Sequence, residues 1–172
     1  MKAKRDTGFT LVELLIVIVI ISILAAIAIP QFIGSTQDAK TATLKADLTA
    51  LRNAIELYYH QHSNTYPGAV KGTACAGTAG ANDLFVEQLS RYTDANNGCS
   101  ATKAATHPYG PYLKTGIPDN PLPNVANVTD PSSAAVSAAV AVLTADDAVD
   151  HGYVYSTATG EIIANNTTYA TY

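Results

Sequence analysis

The stretch GFTLVELLIVIVIISILAAIAIP, residues 8–30, determines how the rest of this chain must be built. From Leu14 to Ile29 every side chain is apolar except that of Ser22. A helix over the 21 residues that begin at Phe9 would be roughly 30 Å long, which is the thickness of the hydrocarbon core of a membrane. The sequence therefore predicts a membrane-spanning helix in this region.

One acidic residue, Glu13, lies within this apolar segment. A charged side chain in hydrocarbon costs a few kcal/mol, about 3 on insertion scales. An intramembrane carboxylate is therefore a candidate functional group, and its partner has to be identified.

Charge is distributed unevenly on the two sides of this segment. Residues 1–8 carry a net charge of +2, and the remainder of the chain carries −6. By the positive-inside rule, the basic leader lies in the cytoplasm and the bulk of the chain lies outside. The acidic bulk also argues against nucleic acid as the main partner.

The small residue Gly8 precedes the apolar segment. In an ordinary signal peptide the small residue of the cleavage site follows the apolar region, which is also shorter. Cleavage after Gly8 would remove the basic leader, keep the whole helix, and make Phe9 the new amino terminus. A plain membrane anchor with Glu13 at the interface is the alternative, but it does not account for Gly8-Phe9.

The basic leader, Gly8-Phe9-Thr10-Leu11-Val12-Glu13-Leu14-Leu15 and Ala28-Ile29-Pro30 resemble the class III signal of type IV pilins and type II secretion pseudopilins. The resemblance implies that prepilin peptidase cuts between Gly8 and Phe9 and that Phe9 is then N-methylated. It also implies that Glu13 is the acidic assembly residue and that Pro30 bends the helix. The new ammonium group of Phe9 and the carboxylate of Glu13 would pair between axially staggered subunits.

The helical pattern continues beyond Pro30 and Gly34, two residues that weaken a helix and predict a bend. Apolar residues recur there at spacings of three and four, which predicts one buried helix face. They are Leu44, Leu48, Leu51, Ile55 and Tyr58 or Tyr59. We expect one helix from about Thr10 to His62.

The resemblance implies an α+β fold class: a pilin-like ladle with a long bent N-terminal helix and a small antiparallel sheet packed on the C-terminal half of that helix. The predicted parts are a cleaved leader (1–8), a transmembrane or filament-core half-helix (9–29), an amphipathic half-helix (30–62) and a globular head (63–172) packed on residues 36–62.

Within the head, the pattern predicts three further elements. Asn82 or Asp83 would cap a short helix, and Tyr112-Leu113-Lys114 would form a short strand. Residues 152–156 and 161–165 would form a hairpin around Thr159-Gly160. For residues 132–145 the sequence leaves helix and strand open.

Cys75 and Cys99 both follow the membrane segment. Two cysteines in an exported small domain favour a disulfide. A pair of free thiols is the alternative.

Groups that could carry chemistry are few. His60 and His62 are two residues apart, which does not suit metal binding on one helix face, so we expect both to be solvated. Asp146, Asp147 and Asp150 could contribute to a calcium site, although a solvated acidic turn fits them better. No catalytic constellation is evident, so we expect no enzyme, no cofactor and no metal. Three sequons, at Asn127, Asn165 and Asn166, would fit exposed loops or ends.

The resemblance implies a structural prepilin that forms a homo-oligomeric helical filament: a type IV pilus for adhesion, motility or DNA uptake. The alternative is a type II secretion pseudopilin that acts as a piston, and an alternative of another class is a membrane-tethered binding module that does not polymerise. The implied partners are prepilin peptidase and an inner-membrane assembly platform. The chain would be a single-pass inner-membrane protein before assembly and part of an extracellular or periplasmic filament afterwards.

Overall fold

The computed structural model describes residues 9–122, 136–138 and 152–172, with the backbone alone for residues 30–33 and 136–138. The chain divides into two compact units, Met1–Ala39 and Lys40–Tyr172. Helix α1 (Leu11–Gln61) runs through both, so the predicted single long helix is confirmed. Its helical backbone continues through Pro30 and Gly34. The bend at these two residues stays a prediction.

The remaining elements all belong to the second unit. They are α2 (Asn82–Ser90), β1 (Tyr92–Thr93), β2 (Cys99–Ser100), β3 (Val136–Ala138), β4 (Tyr153–Tyr155) and β5 (Ile162–Ala164). β1 pairs with β2, and β4 pairs with β5, in both cases antiparallel. The α+β fold with a long helix and small antiparallel sheets is therefore confirmed.

Strand β3 lies in the region that the sequence left open between helix and strand. It pairs with β4 in parallel, with Val136 opposite Tyr153. The three-stranded sheet thus has the order β3-β4-β5 and one parallel edge. A parallel neighbour requires a crossover connection, which hydrophobic alternation in the hairpin alone does not indicate.

The buried face of α1 forms the centre of the second unit's core. Leu44, Leu48, Leu51, Ile55 and Tyr58 are fully buried, as the spacing predicted. The same apolar cluster contains Phe85 and Leu89 of α2 and Tyr153, Tyr155, Ile162 and Ala164 of the hairpin. Between the two adjacent tyrosines, Tyr58 is the core residue and Tyr59 is only half-buried.

The hairpin turn requires glycine at position 160. Gly160 has a φ of +72°, in the left-handed region that glycine adopts without strain. A Cβ atom there would also lie 2.1 Å from the ring of Tyr66. The turn is closed by a 2.8 Å hydrogen bond from the Gly160 amide to the Ser156 carbonyl.

The prediction that Asn82 or Asp83 caps α2 is wrong. The residue before the helix is Ala81, whose side chain makes no capping hydrogen bond. Asp83 lies inside the first turn, where its Oδ1 accepts hydrogen bonds from the amides of Thr78 and Leu84. An acidic group there still interacts favourably with the helix dipole.

The predicted strand Tyr112-Leu113-Lys114 is also wrong, because these residues form a loop. The amides of Tyr112 and Leu113 both donate to the carbonyl oxygen of Leu89, at 2.9 and 3.0 Å. That carbonyl lies near the end of α2, where the helix leaves acceptors without intrahelical partners. These two amides are therefore bonded to the end of a helix and not to a neighbouring strand.

Candidate functional site

The first turn of α1 is closed by reciprocal hydrogen bonds between Thr10 and Glu13. The Thr10 amide and hydroxyl donate to Glu13 Oε2, at 2.8 and 2.7 Å. The Glu13 amide donates back to Thr10 Oγ1 at 3.2 Å. This is a capping box, in which two side chains satisfy amides that a helix start leaves unpaired.

The capping box uses only part of the carboxylate. Both donors from Thr10 bind Oε2, and within the described part of the chain Oε1 accepts no hydrogen bond. An ionised carboxylate has about four acceptor positions, so Glu13 can take a further donor while it caps its own helix. The spacing Thr-x-x-Glu before an apolar run is the sequence signal that indicates such a capping box.

The apolar segment of α1 is uncovered. Phe9 is 85% exposed and Leu11 is 81% exposed, and the large apolar side chains from Val12 to Ile29 are all exposed. By length and composition, α1 is a helix that could cross a membrane. Ser22, the one hydroxyl between Leu14 and Ile29, donates to the carbonyl of Ile18 at 2.6 Å. The side chains of this surface therefore need lipid or other helices around them.

Comparison with known proteins adds independent observations. Residues 3–29 match the model of the prokaryotic N-terminal methylation motif. The chain is 38% identical over 72 residues to the type II secretion system core protein G of Aeromonas hydrophila, covering 42% of this chain and 50% of that protein. It is 54% identical over 50 residues to the type IV narrow pilus major component PilA5 of Thermus thermophilus, covering 29% and 43%.

Over part of its length, the chain is therefore similar to type IV pilins and type II secretion pseudopilins.

A third relative is the type II secretion system core protein G of Vibrio cholerae, which is 35% identical over 81 residues, covering 47% of this chain and 55% of that protein. The chain thus spans about half the length of these relatives. No solved structure shows significant similarity to this pilin-like protein.

The predicted processing site of this pilin-like protein lies at the edge of the described residues. Gly8 and the rest of the leader are outside them, and Phe9 is described and exposed. Cleavage between Gly8 and Phe9 and N-methylation of Phe9 therefore stay predictions. The structure places Phe9 directly before the capping box, so the ammonium group created by cleavage would be one residue from Thr10.

The predicted disulfide is present: Cys75 and Cys99 are bonded to each other. The two sulfur atoms lie near the carboxylate of Glu87, and thiolate and carboxylate groups this close together are also found in metal sites. Metal binding at cysteine requires thiolates, which a disulfide does not provide. The Cys75–Cys99 disulfide is therefore a structural clamp.

Two adjacent residues of α2 support the clamp with hydrogen bonds that the sequence pattern did not reveal. Glu87 Oε2 accepts from the amides of Ala76 and Gly77, at 2.8 and 2.9 Å. Gln88 accepts from the Gly68 amide at 2.7 Å and donates to the carbonyl oxygens of Val70 and Asn97. Both side chains are buried, so these bonds replace an apolar core for the loop between α1 and α2.

His62 departs from the prediction that both histidines are solvated. It is fully buried, and its ring stacks on that of Tyr58 with centroids 3.7 Å apart. Nδ1 lies 2.8 Å from the Tyr58 carbonyl oxygen, which can only accept, so Nδ1 carries the proton. Nε2 lies 2.9 Å from Thr93 Oγ1 and accepts from that hydroxyl. His60, by contrast, is exposed as predicted.

Burial lowers the pKa of His62 below its ordinary value, an effect that the Tyr58 carbonyl and Asp94 oppose in part. The unfolded chain therefore binds a proton at His62 more readily than the folded head does. Stability is full above the unfolded pKa of about 6.5 and is lost as the pH falls below it.

We expect the urea midpoint of the head to decrease between about pH 7.5 and about pH 5, and this decrease to become smaller in His62→Gln. The matched control is His60→Gln, which removes an exposed histidine two residues away. An equal pH dependence in His62→Gln and His60→Gln would show that His62 does not contribute.

The remaining predictions concern the candidate calcium ligands and the sequons. Asp146, Asp147 and Asp150 lie outside the described residues, as does the sequon at Asn127. The other two sequon asparagines, Asn165 and Asn166, are buried, at 2% and 5% exposure. The expectation that these two lie in exposed positions is therefore wrong for the folded head.

Proposed function

We propose that this chain is a structural prepilin that is cut after Gly8 and polymerises through α1 into a type IV pilus for adhesion, motility or DNA uptake. The observation that carries the proposal is the uncovered membrane-length helix that begins with a Thr10–Glu13 capping box directly after Gly8-Phe9. A stored subunit needs lipid around this surface, and an assembled subunit would cover it with the helices of its neighbours.

Glu13 would determine the register of assembly. Cleavage creates an ammonium group on Phe9, and N-methylation would keep its positive charge. Because Glu13 Oε2 is already used by Thr10, the remaining acceptor capacity of the carboxylate is available to a neighbouring subunit's ammonium group. An unpaired charge within packed helices costs several kcal/mol, about 3–5, so subunits that dock out of register would be unstable.

The charge distribution supports the proposed topology. The leader, with a net charge of +2, would stay in the cytoplasm, where prepilin peptidase would cut it. The head would lie outside the inner membrane, and an assembly platform would move the subunit from the membrane into the filament. The named relatives are components of secretion systems and pili, which agrees with a structural and non-catalytic role. We propose no cofactor for this role, and calcium at Asp146, Asp147 and Asp150 stays a separate proposal.

A pseudopilin of a type II secretion system is the second candidate. It is favoured by the two matches to core protein G given above, which cover 42% and 47% of the chain, against 29% for the pilus component. The higher identity of the pilus component, 54%, favours the first candidate. In the second case the same helix would form a short filament that acts as a piston.

Electron microscopy of material sheared from the cell surface, with mass identification of the subunit, tests the proposal. We expect long fibres that contain this chain and that disappear when its gene is deleted. A loss of protein secretion on deletion without such fibres would favour the pseudopilin. A chain that stays in the membrane as a monomer, with neither fibres nor a secretion defect, would indicate a tethered binding module.

A further inference from the structure

The turn between β1 and β2 contains Asn97-Gly98, which is the sole Asn-Gly pair in the sequence. In such a pair the amide nitrogen of the glycine can attack the side-chain carbonyl carbon of the asparagine, since glycine has no side chain to obstruct the approach. The nitrogen loses its proton, a C–N bond forms, and ammonia leaves to give a succinimide. Water then opens the ring to aspartate or isoaspartate.

The fold holds both reacting groups in other interactions. The Tyr58 hydroxyl donates to Asn97 Oδ1 at 2.9 Å, and Asn97 is 7% exposed. The Gly98 amide donates to Asp94 Oδ1 at 2.7 Å. A carboxylate acceptor stabilises the protonated amide, so it opposes the proton loss that the attack requires.

The turn itself is fixed on both sides. The Asn97 amide donates to the Asp94 carbonyl at 3.2 Å, and the Asn97 carbonyl accepts from Gln88 Nε2 at 3.2 Å. The next residue, Cys99, is bonded to Cys75, and its amide donates to the Thr73 carbonyl. These contacts oppose the rotation that would bring the Gly98 nitrogen to the Asn97 side chain.

We propose that Asn97 is a latent deamidation site, blocked in the disulfide-bonded head and released when the Tyr58 contact or the Cys75–Cys99 clamp is lost. The product would not fit the native turn. Aspartate would place a buried carboxylate near the half-buried Asp94, and isoaspartate would lengthen the backbone of a tight turn. A subunit that deamidates after losing the clamp would therefore be unable to return to the native turn. The modified residue would identify the subunits that had opened.

The test follows the tryptic peptide Tyr92–Lys103 by mass spectrometry after incubation of the full chain in detergent at mildly alkaline pH. Oxidised protein should deamidate at Asn97 at least about tenfold more slowly than protein held in urea with reductant, because reaction requires opening. Asn96 in the same peptide is an internal reference. Equal rates in the two samples would overturn the proposal.

The Tyr58→Phe variant removes the hydroxyl and keeps the ring beside His62. The Asn97 side chain has to leave this hydrogen bond before it can rotate toward the Gly98 nitrogen. We therefore expect about fivefold faster deamidation in the oxidised variant, which is the factor for one hydrogen bond of ordinary strength. The matched control is Tyr155→Phe, which loses a buried hydroxyl that donates to the Pro67 carbonyl instead. Equal rates in the two variants would contradict the role of Tyr58.

The Asn97→Asp variant carries the aspartate product and covers the case in which Tyr58→Phe does not fold. We expect its oxidised head to unfold at a lower urea concentration than the wild type. An unchanged urea midpoint would contradict the claim that the deamidated product does not fit the native turn.

Discussion

Replacing Glu13 by glutamine is expected to abolish incorporation of the subunit into filaments while leaving processing intact. Glutamine can replace glutamate in a capping box, so the start of α1 should persist. What glutamine removes is the negative charge that would pair with the ammonium group of a neighbouring Phe9. Leaving that ammonium group unmatched costs about 3–5 kcal/mol per contact, more than a hundredfold in association.

Three variants separate pairing from capping, with the amount of subunit in sheared filaments as the measurement. Glu13→Ala removes both functions, and Thr10→Ala removes the N-cap oxygen and hydroxyl while keeping the charge. Ser22→Ala is the matched control, since it deletes a hydroxyl bonded within the same helix. We expect loss of filaments in both Glu13 variants, partial loss in Thr10→Ala and none in Ser22→Ala. Filaments of Glu13→Gln at the wild-type level would show that Glu13 acts as a cap alone.

Removing the disulfide by the double substitution Cys75→Ser and Cys99→Ser is expected to destabilise the head by about 3 kcal/mol. The reason is that the bond closes a loop with a sequence separation of 24 residues and so restricts the unfolded chain. In the folded head, the apolar cluster at the bond contains just Leu84 beside the two cysteines among the described residues. Urea unfolding of the full chain in detergent measures the effect.

The control for the disulfide is Ser100→Ala, which changes a side chain next to Cys99 that bonds to the Thr102 carbonyl. We expect its unfolding midpoint to stay near that of the wild type. A double-serine variant as stable as Ser100→Ala would mean that Glu87 and Gln88 hold the loop without the covalent bond.

The helical framework was predictable because its signals are local. Spacings of three and four place Leu44, Leu48, Leu51 and Ile55 on one face whatever covers them, and those residues are buried. The hairpin was equally accessible, since alternation and a Thr-Gly turn specify two adjacent strands. The capping box also has a local signal, Thr10-x-x-Glu13, although it was not among the predictions.

The polar interior was not predictable from local pattern. Whether His62 is solvated depends on Thr93, which is 31 residues away, and the clamping role of Gln88 depends on Gly68 and Asn97. Likewise, the sequence around Tyr112 predicts a short strand, but the Tyr112 amide donates to the carbonyl of Leu89 near the end of α2. Such interactions are determined by which chain segments meet in space, and periodicity does not specify that.

The amino terminus of the subunit recovered from filaments tests the central claim most directly. Intact-mass and fragmentation spectrometry of sheared filaments should show a chain that begins at Phe9, carries one methyl group on its amino nitrogen and lacks residues 1–8. A filament subunit that retains the leader, or that begins at a residue other than Phe9, would contradict the account of processing and of Glu13 pairing.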